Sequence, residues 1–321
     1  MTMKWIAAML SALLLLTACG TGAQSAGQPV NSSQSQKEAE APDTSVTFTD
    51  DLGRTVTVDR PERVAAAVGS FAEVWLLAGG ELCAVTEDAY SERKLELPKV
   101  ESLGAMKSPS VEIIIAQGVD LLLLSAKTSE HVALQPTLEA AGVPFAYFEV
   151  ETFEDYLRML KICTEITGQP QKYVENGESV QTQIDAAIAL SQGKESPRVL
   201  LIRAFSTGAK AKGSDNMTGV MLKDLGCTNI ADSNTGLLED LSMEKIIAED
   251  PDFIFVTTMG ASHQKALAAL EESLTGSPAW AGLTAVQNGR FVVLDRDLFH
   301  YKPNVRWGES YETLANILYG N

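Results

Sequence analysis

Cations and aromatic rings collect in this sequence at the points where apolar runs end. The densest stretch is Phe299-His300-Tyr301-Lys302-Pro303-Asn304-Val305-Arg306-Trp307. Earlier in the second half stand Arg203, then Lys210, Lys212, Asn216 and Met217, then Met259 and His263. The first half offers Ser70 and Phe71, Tyr90 and Arg93, and Lys127 and His131. Arginine and lysine recognise anionic groups through charge-assisted hydrogen bonds, and arginine can do so with two at once. Phe71, Tyr90 and Trp307 have faces on which a flat ligand could stack. The chemistry expected is therefore non-covalent capture of an anion, with Tyr301 and Arg306 as the favoured contacts. These basic loops stand out because the whole chain carries a formal net charge of −17.

Other chemistries find less support. A zinc or manganese site needs three or four converging His and carboxylate ligands. Only His131, His263 and His300 are present, far apart in sequence, and each reads as a pocket or loop hydrogen-bonder. There is no G-x-S-x-G, no H-E-x-x-H and no P-loop, and Gly208-Ala-Lys-Ala-Lys-Gly213 lacks the dinucleotide fingerprint. No enzyme is expected. The acidic balance argues against a nucleic-acid partner, which needs a basic face. Beyond Cys19, the cysteines Cys83, Cys163 and Cys227 are odd in number and form no C-x-x-C, which argues against a disulfide framework or a structural zinc.

The elements that must hold these loops are alternating strands and helices. Val46–Val58 predicts a hairpin turning at Asp51-Leu52-Gly53-Arg54. Short continuous apolar strands follow at Arg63–Val68, Leu82–Thr86, Val119–Ser125 and Val143–Val150. A second set runs at Val199–Ile202, Phe253–Thr257 and Phe291–Leu294. Helical patterns lie between them, so the sheets are covered on both faces. Residues 170–192 keep helical spacing with Gly177 the one glycine inside it, a length of roughly 30 Å at 1.5 Å per residue. The fold class expected is α/β: two Rossmann-like lobes joined by one long α-helix, with an N-terminal β-hairpin. The boundaries are residues 45–168 for the first lobe, 169–195 for the interlobe helix and 196–321 for the second lobe. Ligands in such sheets bind beyond the carboxyl ends of the strands, where the basic loops fall.

The first 44 residues read differently. Lys4 is the only charge before residue 37, and Ile6–Leu16 is apolar but short for a membrane span. The run ends in Leu16-Thr17-Ala18-Cys19, which has the form of a lipobox. Residues 1–18 are then a signal peptide, and Cys19 is the lipidation (palmitate) site. Residues 19–44 form a polar linker too poor in apolar groups to fold. Two acyl chains anchor where one binds only marginally. The expected place is the outer, extracytoplasmic side of a cell membrane.

A gapless internal repeat joins the two halves. Ser110-x-Glu112-x-Ile114-Ile115-Ala116-x-x-x-Asp120 returns as Ser242-x-Glu244-x-Ile246-Ile247-Ala248-x-x-x-Asp252, with six identities at an offset of 132 residues. A carboxylate in a first helical turn complements the helix dipole, by about 0.3–1 kcal/mol.

Taken in order, these features resemble a known family. They are the Cys19 motif, the polar linker, Asp51–Val58 with Pro61-Glu62-Arg63-Val64, the Glu112 and Glu244 segments, Leu222–Ile230 and Tyr311–Tyr319. Together they resemble the ABC-importer substrate-binding lipoproteins for ferric siderophores, haem and cobalamin, over essentially all of the chain from residue 46. The resemblance implies a monomer that captures an iron chelate between its lobes and closes modestly about a stiff helix. It implies delivery to a permease dimer, with Glu112 and Glu244 docking one into each half. It implies no resident cofactor. The candidate ligand contacts are Ser70, Phe71, Tyr90, Lys127, Arg203, Asn216, Met217, Met259, His300, Tyr301, Arg306 and Trp307. Haem as cargo would take an axial ligand from His300, Tyr301, His263, Met217 or Met259. Cobalamin, a free metal ion and a small organic solute are the alternative cargoes.

Overall fold

The computed structural model describes residues 45–260 and 262–320; the expected signal peptide, Cys19 and linker lie outside the described residues. Alternating Thr and Val form the hairpin of β1 (Ser45–Thr49) and β2 (Thr55–Asp59), paired antiparallel from Ser45↔Asp59 to Thr49↔Thr55. The Asp50 carboxylate holds the turn by accepting from the backbone N–H of Leu52 and Arg54. It also accepts from Tyr147 N–H at 3.2 Å, which fastens the hairpin to the first lobe.

The first lobe is a five-stranded parallel sheet. Its strands are β3 (Val64–Ala66), β4 (Ala84–Val85), β5 (Glu101–Ser102), β6 (Leu121–Ser125) and β7 (Phe145–Phe148), in the order β5-β4-β3-β6-β7. This is the doubly wound arrangement, whose order reverses between β3 and β6. The second lobe has β8 (Arg198–Phe205), β9 (Gly208–Lys212), β10 (Thr228–Asn229), β11 (Phe253–Thr258) and β12 (Phe291–Val293), with a parallel path β10-β8-β11-β12. β9 pairs antiparallel with the far half of β8. The apolar run predicts a strand ending at Ile202, with Lys210 and Lys212 in a loop. The strand runs on to Phe205, and the two lysines lie on β9.

The connection between lobes is helical from Pro170 to Ala189, with a π-turn at Val174–Glu178. The Asn176 carbonyl accepts from the Tyr156 hydroxyl at 2.8 Å, and the Asn176 amide donates to Leu77 O at 2.8 Å. A π-turn offsets the helix's carbonyls locally, and here side-chain bonds to the first lobe occupy that register.

One hydrophobic core runs through both lobes. Phe71, Trp75, Phe148, Phe153 and Tyr156 from the first lobe join Val180 and Ile184 of the linking helix. Met217, Met221, Phe255, Trp307, Tyr311 and Leu314 of the second lobe complete it. The outer face of each sheet has a smaller cluster of its own. Trp307 opens the last helix, Trp307–Tyr319, and its ring meets Phe153 edge-on at 6.1 Å. Cys163 is buried, and Cys83 and Cys227 partly so; all three are unpaired thiols. Burial pushes the Cys227 thiol up to about 12, which leaves it an unreactive thiol at neutral pH.

Candidate functional site

The carboxyl ends of both sheets meet where the segment 296–306 crosses between lobes. β12 ends at Val293, and Asp295 caps the short helix Arg296–Phe299. The chain then runs past His300 and Lys302 to a 3₁₀ turn at Asn304–Arg306. Cross-lobe bonds fix this path. Arg93 donates from Nη1 to Lys302 O at 2.7 Å and is ion-paired through Nη2 with Glu73. Asn304 donates to Ser70 O at 2.9 Å and to Glu73 Oε2 at 2.6 Å. Lys302 Nζ reaches Glu151 Oε1 at 2.8 Å. Asn304 sits at φ 51°, a left-handed conformation that asparagine tolerates better than most residues. Within the first lobe the helix Gly69–Leu77 lies so close to the short helix Asp88–Ser91 that a Cβ on Gly69 would be 2.6 Å from Ala89 N.

Arg93 and Lys302 are ion-paired here, whereas Arg203, Lys210 and Arg296 make no carboxylate ion pair among the described residues, although Glu92 lies near enough to feel Arg296 and Arg93. Arg203 and Lys210 lie directly opposite each other across β8 and β9, so their side chains share one face. Like charges in that relation repel unless an anion lies between or beside them. Arg296 donates through Nη2 to Gly260 O and to the Tyr301 hydroxyl, both at 2.8 Å, and its guanidinium lies 5.2 Å from the Tyr301 ring centre. The Nε atoms of Arg93, Arg203 and Arg296 and the Nδ1 of His300 are all buried without a hydrogen-bond partner. A buried polar atom left unpaired costs about 1–3 kcal/mol, so three arginine donors and an imidazole nitrogen without partners at one junction are unusual. Burial lowers the Arg203 guanidinium from its ordinary value, against the pull of Glu151 and Asp215. The arrangement can accept several anionic oxygens at once. No group of three or more His, Cys, Asp or Glu residues that could hold a metal ion occurs among the described residues.

His300 feels this field. Burial, and then the charges of Arg203, Arg296 and Lys302, push its pKa down to about 4. It is therefore neutral at pH 7, and Nδ1 or Nε2 is free to accept. In the unfolded chain it titrates near 6.5. The folded pKa is the lower one, so the unfolded chain binds more protons between about pH 6.5 and pH 4, and stability falls as pH drops through that window. His131, lowered first by its burial, acts in the same direction. The unfolding temperature is expected to fall between pH 7 and pH 4 in scanning calorimetry, with a shallower slope in His300→Asn. An unaltered slope in that variant would show that His300 does not titrate in the window.

The structure brings together Arg203, His300 and Tyr301 from the sequence candidates, with Ser70 beside them through its carbonyl. Arg93 and Lys302 of the basic loops join them, and the structure adds Glu73, Glu151 and Arg296. Several candidates are corrected. Phe71, Met217 and Trp307 are core side chains, each under 5% exposed, and so cannot stack on or ligate a ligand. Asn216 caps the helix Met217–Asp224 by accepting from Gly219 N–H, and its amide donates to Gly213 O at 2.6 Å. Arg306, favoured on type, turns away to Glu309 with two bonds at 2.7 and 2.9 Å. Tyr90 donates to Val100 O, and exposed Lys127 pairs with Glu149. His131 is fully buried between Ser125 N–H and Met106 O. Met259 is 41% exposed at the end of β11, and His263 Nδ1 is bonded to the Thr258 hydroxyl.

A groove of about 810 Å³ lies elsewhere, lined by Arg60, Pro61, Trp75, Gly79 and Ile166. These residues precede β3 and β4 or close helices at the amino edge of the first sheet, the edge opposite to ligand-binding loops in such folds. The polar atoms without partners, not that groove, mark the candidate site.

Two α/β lobes with a cationic junction at their strand ends define a bilobal binding protein. The chain belongs to the periplasmic binding protein family, which it matches over residues 64–298. This is a family of binding proteins, not enzymes. A Bacillus subtilis protein named as an ABC transporter substrate-binding lipoprotein, YhfQ, is 23% identical over 280 residues, 81% of this chain and 84% of that protein. Staphylococcus aureus SirA, solved with staphyloferrin B, superposes with a TM-score of 0.65 at 18% identity, covering 85% of this chain and 97% of SirA. The haem-binding protein RhuT of Roseiflexus sp. RS-1, solved in its apo form, gives 0.63 at 22%, covering 80% and 98%.

Proposed function

We propose that the protein is the substrate-binding component of an ABC importer and that its cargo is an anionic ferric chelate of the siderophore class. The observation that carries the cargo is the interlobe junction of Arg93, Arg203, Lys210, Arg296 and Lys302 with buried nitrogens lacking partners. The similarity to SirA, solved with staphyloferrin B, supports that cargo, and the similarity to the lipoprotein YhfQ supports the importer role. The protein works as a monomer on the extracytoplasmic face, anchored by lipid on Cys19 and leashed by residues 20–44. Among the described residues no helix is long and apolar enough to cross a membrane. Glu112 and Glu244 dock on the permease dimer. Haem is a weaker fit because Met217 is in the core and His263 is already bonded, leaving His300, Tyr301 and Met259 as axial candidates.

The test is a fluorescence titration of the protein lacking residues 1–19, in which Trp75, Trp280 and Trp307 remain as reporters. The panel holds ferric catecholate, hydroxamate and carboxylate siderophores, haem and cobalamin. Saturable quenching is expected from an anionic ferric chelate. Saturation by cobalamin alone, or by nothing in the panel, would sink the ferric-chelate reading.

A further inference from the structure

Buried packing and backbone hydrogen bonds account for only half of the identical positions of the internal repeat. Ser110 and Ser242 cap their helices by accepting from Ile113 and Lys245 N–H. Ile114 and Ile246 are fully buried in the separate outer clusters of the two lobes. Asp120 takes the backbone N–H of Glu62 and Arg63 at 2.8 and 2.9 Å, and Asp252 takes that of Arg198 at 2.8 Å, so each latches the start of its lobe's first strand. The three remaining identities are Glu112, Ile115 and Ala116 in one lobe and Glu244, Ile247 and Ala248 in the other. All six are exposed. They are spaced i, i+3, i+4, which puts each trio on one helical face.

Nothing in the fold calls for an isoleucine there. Ile115 is 50% and Ile247 48% exposed, among the most exposed large apolar side chains of the described residues. An exposed carboxylate beside an exposed aliphatic chain and a small residue, repeated once per lobe, forms two copies of one surface. A partner with two copies of one acceptor matches that duplication.

We infer that Ile115 with Ala116, and Ile247 with Ala248, are paired apolar docking pads for the permease of the importer. Each inserts beside its glutamate into an acceptor that combines a cation with an apolar wall, one on each half of the permease. The inference rests on the importer reading above but not on the identity of the cargo. Charge complementarity sets the glutamate contact. The alanine lets the partner approach closely, and the isoleucine gives up water-exposed surface that the fold itself leaves uncovered.

The test uses the full-length lipoprotein in its own cells, with the photocrosslinking residue benzoylphenylalanine at position 115, at position 247 or, as control, at exposed Leu190. Crosslinks from 115 and 247, but not from 190, to a polytopic membrane protein identified by mass as an ABC permease subunit are expected. Ile115→Ser with Ile247→Ser should lower uptake of the bound chelate roughly tenfold, as expected for losing two half-buried aliphatic contacts, with its Kd unchanged. Wild-type uptake in the double variant, crosslinks no stronger than at 190, or crosslinks to some other protein would overturn the pads. If no ferric chelate is transported yet both positions crosslink to the permease, the cargo reading falls and the docking proposal stands.

Discussion

Replacing Arg203 and Arg296 together by alanine is expected to weaken ligand binding by roughly 10²–10⁴-fold. Each hydrogen bond to a charged group is worth about 1.5–3 kcal/mol, and each 1.4 kcal/mol is about tenfold in affinity. The fold should tolerate the change. Arg203 Nε has no partner to lose, and Arg296 gives up bonds to one carbonyl and to the Tyr301 hydroxyl. Removing Arg203 also relieves its repulsion with Lys210 across β8 and β9. The titration that identifies the cargo measures both proteins, with circular dichroism as the check on folding. Arg306→Ala is the internal control. Its guanidinium is committed to Glu309, so its affinity should match wild type even though sequence type alone favours it as a contact. An unchanged Kd in the Arg203/Arg296 variant, or a lost one in Arg306→Ala, would place the ligand elsewhere.

The second large effect concerns delivery. Glu112→Ala with Glu244→Ala is expected to abolish uptake, to below about one hundredth of wild type, while binding the chelate as tightly as before. Both carboxylates are exposed and accept no side-chain hydrogen bond that holds the fold. A purely structural role would instead show as lost stability, since a first-turn carboxylate contributes about 0.3–1 kcal/mol through the helix dipole. Calorimetry alongside the uptake assay separates the two. Normal uptake, or lost uptake accompanied by a marked fall in unfolding temperature, would remove the docking role.

The scaffold was legible because its signals are local. Continuous runs such as Leu121–Leu124 and Phe253–Val256 mark buried strands, Asp51-Leu52-Gly53-Arg54 marks the hairpin turn, and the repeat of Ser, Glu, Ile and Asp marks two related lobes. The site was only half legible because it is assembled from both lobes. Residue type cannot tell a ring that stacks on a ligand from one that fills a core, and so Trp307, Phe71 and Met217 were mistaken for pocket residues. Nor does type reveal that Arg306 has a neighbour one helical turn on. Arg296 was missed, although a signal existed. It lies three residues after β12, at the same strand-end position that drew attention to Arg203. β9 was missed because Gly-Ala-Lys-Ala-Lys lacks β-branched residues and forms a strand only by pairing with β8.

The shared core also dictates the order in which this chain can fold during synthesis. Phe153 and Tyr156 of the first lobe pack in one cluster with Trp307, Tyr311 and Leu314, which are made about 150 residues later. A nascent chain usually completes its leading domain while the remainder is still being made. Here the leading half has its own sheet and outer cluster early, but one face of its interior stays open until Trp307, Tyr311 and Leu314 have been made.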